Sequence, residues 1–204
     1  IRHGETAWNV DTRLQGHLDI ALNGKGIWQA GQVARSLADE DIDAIYASDL
    51  LRAWQTAHAI AHATDAPLTA HVGLRERGFG SFQGKTYAEI ELQWPEESQR
   101  WRKRDPEWAP PGGESLATMR ERVRTTVNAL AQQHMGEQIV LVAHGGVMDI
   151  LYRLASSQEL QAPRTWQLGN AAINRLLWTP DGLTLVGWAD TRHLEDGTLD
   201  ETST

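Results

Sequence analysis

Cysteine is absent from the 204 residues, which removes disulfides, zinc–thiolate sites, iron–sulfur ligation and a cysteine nucleophile together. That absence does not reveal the compartment, and a cytoplasmic location is the working expectation. Long apolar runs are lacking too. No stretch approaches the roughly twenty residues a membrane helix needs, and no charged n-region with an apolar h-region opens the chain. A soluble protein with no membrane partner is expected. Positive charge is scarce, with 19 Lys and Arg against 27 Asp and Glu and a formal net charge of −8. No overall basic field exists to drive sequence-independent nucleic-acid binding, so nucleic acid is not an expected partner.

The 41% hydrophobic and 23% charged composition supports one good-sized core. A single domain over residues 1–194 with an acidic, flexible tail at 195–204 is expected. Ile1 leads straight into Arg2-His3-Gly4-Glu5-Thr6, and a short strand or a removed targeting segment upstream of the first residue is expected. Nine tryptophans are many for this length and leave a homodimer open.

Apolar residues recur at helical spacing in Ile27, Ala30, Val33, Ala34 and Leu37, predicting an amphipathic helix over 24–38. A second helix is predicted over 50–64 with Ser48-Asp49 as its cap. Between them Ile42–Ala47 reads as a buried strand. A third helical pattern covers 114–134, with Leu116, Met119, Val123, Val127 and Leu130 as its core stripe. The run Ile139–Ala143 reads as a strand covered on both faces, followed by a helix over 146–155. Ala172–Trp178 and Leu183–Trp188 flank the turn sequence Thr179-Pro180-Asp181-Gly182. Strands alternating with helices predict an α/β fold, a mostly parallel central sheet with helices on both faces, to which the final pair adds an antiparallel element. Active sites of such sheets lie beyond the carboxyl ends of the strands.

Four segments at strand-to-loop junctions carry chemistry. Arg2-His3-Gly4 places a guanidinium and an imidazole beside a glycine that lets backbone approach a ligand. Arg52 falls in the first turn of a helix, where its fork and the helix N-terminus both suit an anion. Leu74-Arg75-Glu76 supplies a carboxylate. Ala143-His144-Gly145-Gly146 supplies a second histidine at a strand end, with a helix N-terminus after it. Two histidines, two arginines and one carboxylate make a coherent site for a phosphate.

In these segments the chain resembles the histidine phosphatase superfamily, the phosphoglycerate-mutase-like group named for its RHG motif. The resemblance extends to Trp8-Asn9, Gln15-Gly16, Leu22 with Gly26 and Gln29-Ala30, Ser48–Ala57, and Gly112-Gly113-Glu114-Ser115, nearly the whole chain. It implies a phosphoglycerate mutase-like fold and a small phosphorylated substrate. It also implies that His3 is the nucleophile, that Arg2, Arg52 and His144 hold the phosphoryl oxygens, and that Glu76 is the proton donor. Asn9, Gln15 and Gly16 match substrate-loop positions. No metal or cofactor is implied, because arginines and His144 take the part that Mg²⁺ plays elsewhere. His3 must then be neutral, with its other ring nitrogen donating to a backbone carbonyl, while Glu76 begins protonated. A mildly acidic pH optimum is the expected consequence.

Cofactor-dependent mutases of this group follow the acid with Tyr-Gly and then Gly-Leu-Asn-Lys. Here Phe79 stands at the tyrosine and Tyr87 at the lysine, which weakens recognition of a second acidic group and favours a metal-independent phosphomonoesterase over a mutase. An inactive phosphate-binding or scaffold protein is the alternative of another class, but no catalytic member is missing. Trp94, Trp101 and Trp108 with Arg100, Arg102, Lys103 and Arg104 either shape the leaving-group pocket or form a packed helix with a solvated basic face. His58 and His62, four apart on a helix, lack a third ligand and read as an exposed face. His17, His71, His134 and His193 read as ordinary, and Glu5 as a structural hydrogen-bonding group.

Overall fold

Strands β1 (Ala44–Ala47), β2 (Leu68–Ala70) and β3 (Ile139–Val142) pair in parallel in the order β2-β1-β3 in a computed structural model that describes residues 1–195. At the other edge of β3, Arg2 forms a parallel bridge with Ala143, with His3 N donating to Ala143 O at 3.0 Å and Ala143 N to Ile1 O at 2.9 Å. Four carboxyl ends therefore point one way. The helices are α1 (Ala7–Val10), α2 (Gly24–Leu37), α3 (Leu51–Thr64), α4 (Tyr87–Gln93), α5 (Pro95–Arg102), α6 (Leu116–Gln133) and α7 (Gly145–Ala155). Among the described residues no helix is long and apolar enough to cross a membrane.

Alternation along the strands decides which helices lie on which face. Ile45, Ala47, Val140 and Val142 pack with Val33 and Leu37 of α2 and Ala53, Ala57 and Ile60 of α3. Tyr46 and Leu141 face the opposite way, onto Val123 and Val127 of α6 and Val147, Ile150 and Leu151 of α7. The sheet is covered on both faces, as its unbroken apolar strands require. The last two strands, β4 (Ile173–Thr179) and β5 (Gly182–Asp190), form an antiparallel sheet of their own rather than an edge of the parallel one. Leu176, Leu183 and Trp188 of this hairpin lie against the α6–α7 cluster. All nine tryptophans are buried or half-buried within the chain.

The start of α3 differs from its expected cap. Leu50 occupies the cap position without a side-chain bond, and the Asp49 carboxylate goes instead to Arg75, at 2.7 and 2.5 Å. A two-pronged arginine–carboxylate pair outcompetes a single bond to a helix N–H. Asp19, from a distant loop, accepts from Leu51 N at 2.6 Å in its place. Of the tail expected at 195–204, only Glu195 belongs to the described residues.

Candidate active site

The parallel strands deliver the chemistry-bearing residues to one cavity of about 400 Å³, lined by Arg2, His3, Arg52 and Glu76 together with Asn9, Gln15 and Gly16. His144, the cap position of α7, is fully buried with its ring centroid 5.2 Å from that of His3. The structure thus brings together every site residue singled out in the sequence.

His3 Nδ1 lies 2.7 Å from Gly4 O. A carbonyl can only accept, so the proton sits on Nδ1 and Nε2 keeps its lone pair. Burial, then the charges of Arg2 and Arg52, hold His3 well below the ordinary histidine value, so the ring is neutral. His144 is lowered likewise, by burial first and then by Arg52, His3 and Arg2. Neither ring nitrogen of His144 has a hydrogen-bond partner among the described residues, nor do Arg2 Nε and Arg52 Nε. Buried polar groups are ordinarily paired, so this cluster is suited to a ligand with several acceptor oxygens. The terminal nitrogens of Arg52 are held at Leu18 O and Gly16 O, at 2.9 and 2.8 Å, and Arg2 donates to Leu168 O. Burial brings Arg52 down to about 10, which leaves it charged at neutral pH.

Glu76 Oε1 accepts from Arg77 N at 2.8 Å and Oε2 from Gly146 N at 3.0 Å, in the first turn of α7. A Cβ on residue 146 would stand 2.2 Å from Glu76 Oε1, so glycine there is what lets the carboxylate reach the helix end. The loop before Glu76 is held by Arg122, which donates to Gly73 O and Arg75 O at 2.9 Å each and forks onto Glu114 at 2.8 Å twice. The Gly112–Ser115 segment thereby positions Glu76 from a distance, and Ser115 caps α6. A similar close approach joins Gly4 to α2, where a Cβ would meet Gly26 O at 2.5 Å. Glu5 accepts from Asn23 and pairs with Lys25 at 3.1 Å, the structural part expected of it.

Asn9 Oδ1 accepts from Thr6 N at 3.0 Å and Gln15 Oε1 from the Thr6 hydroxyl at 3.0 Å, which leaves both amide NH₂ groups available to the cavity. Asn170, not singled out in the sequence, donates to His3 O at 3.0 Å and pins the backbone of His3. Next to it, buried Ala171 adopts a left-handed φ of 58°, a conformation that costs an L-residue roughly 1–2 kcal/mol. Its N–H meets Arg2 O and His3 O at 3.0 and 3.2 Å. The Gly169-Asn170 dipeptide was the one available sign of this turn. His17, read as ordinary, places Nε2 2.8 Å from Glu76 O.

The tryptophan and arginine segment divides between its two readings. Trp101 and Arg104 line the cavity with Phe79 and Tyr87. Trp94 and Trp108 join Trp101 in packing on Phe82, at 5.3 and 6.0 Å, but do not line the cavity. Arg100 and Arg102 turn outward to Asp105 and Glu91. Leu116 and Met119, expected only as core, also line the cavity. His58 and His62 are exposed on α3, and no cluster of three or more potential metal ligands occurs among the described residues.

Neutral buried histidines make stability depend on pH with a definite sign. Their folded values lie below the ordinary 6.5, so the stability they contribute is complete above that value. It is lost as pH falls below it, because the unfolded chain takes up protons that the folded chain refuses. The slope is about 1.4 kcal/mol per pH unit for each histidine. Between pH 6.5 and 5 the urea midpoint of the wild type is expected to fall more steeply than that of His144→Asn. Parallel curves would mean that His144 is not held neutral.

The family model of the histidine phosphatase superfamily (branch 1) matches residues 1–191. Phosphoglycerate mutase-like protein 4 of Arabidopsis thaliana is 38% identical over 200 residues, covering 96% of this chain and 86% of that protein. The metal-independent phosphoserine phosphatase of the same plant is 34% identical over 197 residues, covering 95% and 81%. Among solved structures, a phosphoserine phosphatase from Entamoeba histolytica in complex with phosphoserine superposes with a TM-score of 0.84 at 30% identity, covering 95% of this chain and 96% of that one. With its fold, its arginine- and histidine-lined cavity and these relatives, the chain belongs to the histidine phosphatase superfamily, branch 1.

Proposed function

We propose that the chain hydrolyses a small phosphomonoester, without a metal ion, through a phosphohistidine on His3. The observation that carries this reading is the His3 ring itself, with Nδ1–H committed to Gly4 O and Nε2 free beside the unpartnered donors of Arg2, Arg52 and His144. In the first step the Nε2 lone pair attacks phosphorus in line and the bond to the leaving oxygen breaks with its electron pair. Glu76 delivers a proton to that oxygen. Arg2, Arg52 and His144 hold the equatorial oxygens, where charge spreads in the transition state. In the second step Glu76 takes a proton from water as it attacks phosphorus, the P–N bond returns its electrons to Nε2, and inorganic phosphate departs. Asn9, Gln15 and Gly16 line the same cavity and orient the ester.

Names among the relatives point two ways, to phosphoserine hydrolysis and to phosphoglycerate isomerisation. The apolar Phe79, 5.3 Å from the Trp101 ring, favours hydrolysis, because a mutase must grip a bisphosphate intermediate and exclude water. The test is phosphate release at mildly acidic pH with EDTA present, across phosphoserine, 3-phosphoglycerate, glycerol 3-phosphate and p-nitrophenyl phosphate. Release undiminished by EDTA is expected. Conversion of 3-phosphoglycerate to its 2-isomer on adding a bisphosphate primer, with no phosphate released from any ester, would make the chain a mutase.

A further inference from the structure

The cavity carries more positive charge than phosphoryl transfer uses. Beyond Arg2 and Arg52, its wall holds Arg13, Arg77, Arg104 and Arg164, against Asp149 as the one acid besides Glu76. Three of these arginines are held by other parts of the chain. Arg13 donates to Gly84 O and pairs with Glu89 at 3.0 Å. Arg77 donates to Glu114 O and Trp108 O at 2.7 and 3.3 Å. Arg104 donates to Leu160 O at 2.6 Å and pairs with Asp149 at 2.8 Å. Arg164 has neither a hydrogen bond nor an ion pair among the described residues, although its charge opposes those of Arg2 and Arg104.

A solvated, unpaired arginine is commonplace on a surface, but the loop that carries this one is braced on both sides against the site. Before it, Leu160 O is held by Arg104 and Glu159 O by Arg153. After it, Trp166 stacks on Tyr152 with centroids 4.0 Å apart and lies under the Arg153 guanidinium at 4.8 Å. Gln167 O accepts from Trp188 at 3.0 Å, and Leu168 O from Arg2, itself a phosphoryl-binding candidate. The backbone that presents this fork to the cavity is thereby braced, and a guanidinium fork matches a planar acid.

We propose that Arg164 is a specificity-determining residue that binds a carboxylate on the leaving group, so that carboxylate-bearing alkyl phosphates are preferred over neutral ones of the same size. The proposal rests on the phosphomonoesterase reading above. A single free fork matches one singly charged planar acid. Because such a contact is made alike in the ground and transition states, its loss falls on KM rather than kcat.

The test compares 3-phosphoglycerate with glycerol 3-phosphate, which share a three-carbon frame and differ in the carboxylate. Wild-type kcat/KM is expected to favour 3-phosphoglycerate by about tenfold to a hundredfold, the scale of one charge-assisted contact. Arg164→Ala should bring that ratio to within threefold by raising KM for the carboxylate ester, and Arg164→Lys should restore part of it. Equal wild-type turnover of the two esters would overturn the proposal, as would an Arg164→Ala variant that lowers both by one factor, as a merely structural residue would. p-Nitrophenyl phosphate separates the two readings. If it alone is hydrolysed, the carboxylate site is refuted and the phosphatase stands, whereas no release from any ester refutes both.

Discussion

Alanine at position 3 is expected to lower phosphate release by at least about 10⁴-fold, since no other group at the site can take over the displacement. His3 is the imidazole whose free nitrogen is set by its neighbour's bond, Nδ1–H to Gly4 O at 2.7 Å. The buried His144 is the other imidazole in the cluster, yet no hydrogen bond among the described residues fixes which of its nitrogens carries the proton, as Gly4 O does for His3. Loss of activity through misfolding is separable from loss of the nucleophile. His3→Ala keeps Arg2, Arg52 and His144, so inorganic phosphate should still raise its melting temperature, and saturation at 100 times Kd corresponds to about 2.7 kcal/mol. A rapid acid quench of the wild type into base should trap a phosphoenzyme that is stable to alkali and labile to acid, and the variant should trap none. Activity above about a hundredth of wild type in His3→Ala would refute the mechanism.

Glu76→Gln carries the second largest effect, and its signature is a dependence on the leaving group. Loss of general acid assistance should slow release from an alkyl phosphate by about 10²- to 10⁴-fold. p-Nitrophenolate departs without a proton, so its ester should lose less than about tenfold in the first step. The variant keeps one carbonyl oxygen for the N–H of Arg77 or Gly146, which bond the carboxylate at 2.8 and 3.0 Å, and the loop stays tied through Arg122 and Glu114. Single-turnover measurements on both esters provide the comparison. An equal loss on both would assign Glu76 a positioning role and leave the leaving oxygen to another donor. His3, held below the ordinary histidine value by burial and by Arg2 and Arg52, stays neutral and so remains a competent nucleophile at mildly acidic pH.

The candidate cluster was legible in the sequence because its members follow the ends of strands, directly for His3 and His144 and after a short connection for Arg52 and Glu76, and a parallel sheet brings those ends together. His3 and His144 end neighbouring parallel segments joined by the Arg2–Ala143 bridge. What local pattern missed are interactions between segments far apart. Ser48 and Asp49 looked like a helix cap, but Asp49 is drawn to Arg75 and the cap comes from Asp19, 32 positions before the N–H it accepts from. Asn170 holds the backbone of His3 from 167 positions away. Trp94, Trp101 and Trp108 looked alike as residues, and all three pack on Phe82, yet Trp101 alone of them also lines the cavity.

From the sequence alone came the family resemblance, the parallel α/β architecture and the candidate phosphoryl-binding residues, because strand ends and helix starts are local and their chemistry travels with the motif. The tertiary structure alone decided which nitrogen of His3 is free and why Gly146 must lack a side chain. It also separated Arg164, unpaired among the described residues, from Arg13, Arg77 and Arg104, each of which is held by hydrogen bonds. Glu76 lies 70 positions from Gly146, and even Gly4 O, next in sequence to His3, meets Nδ1 only in the folded backbone, because hydrogen-bond pairing and burial are properties of the folded neighbourhood rather than of residue type.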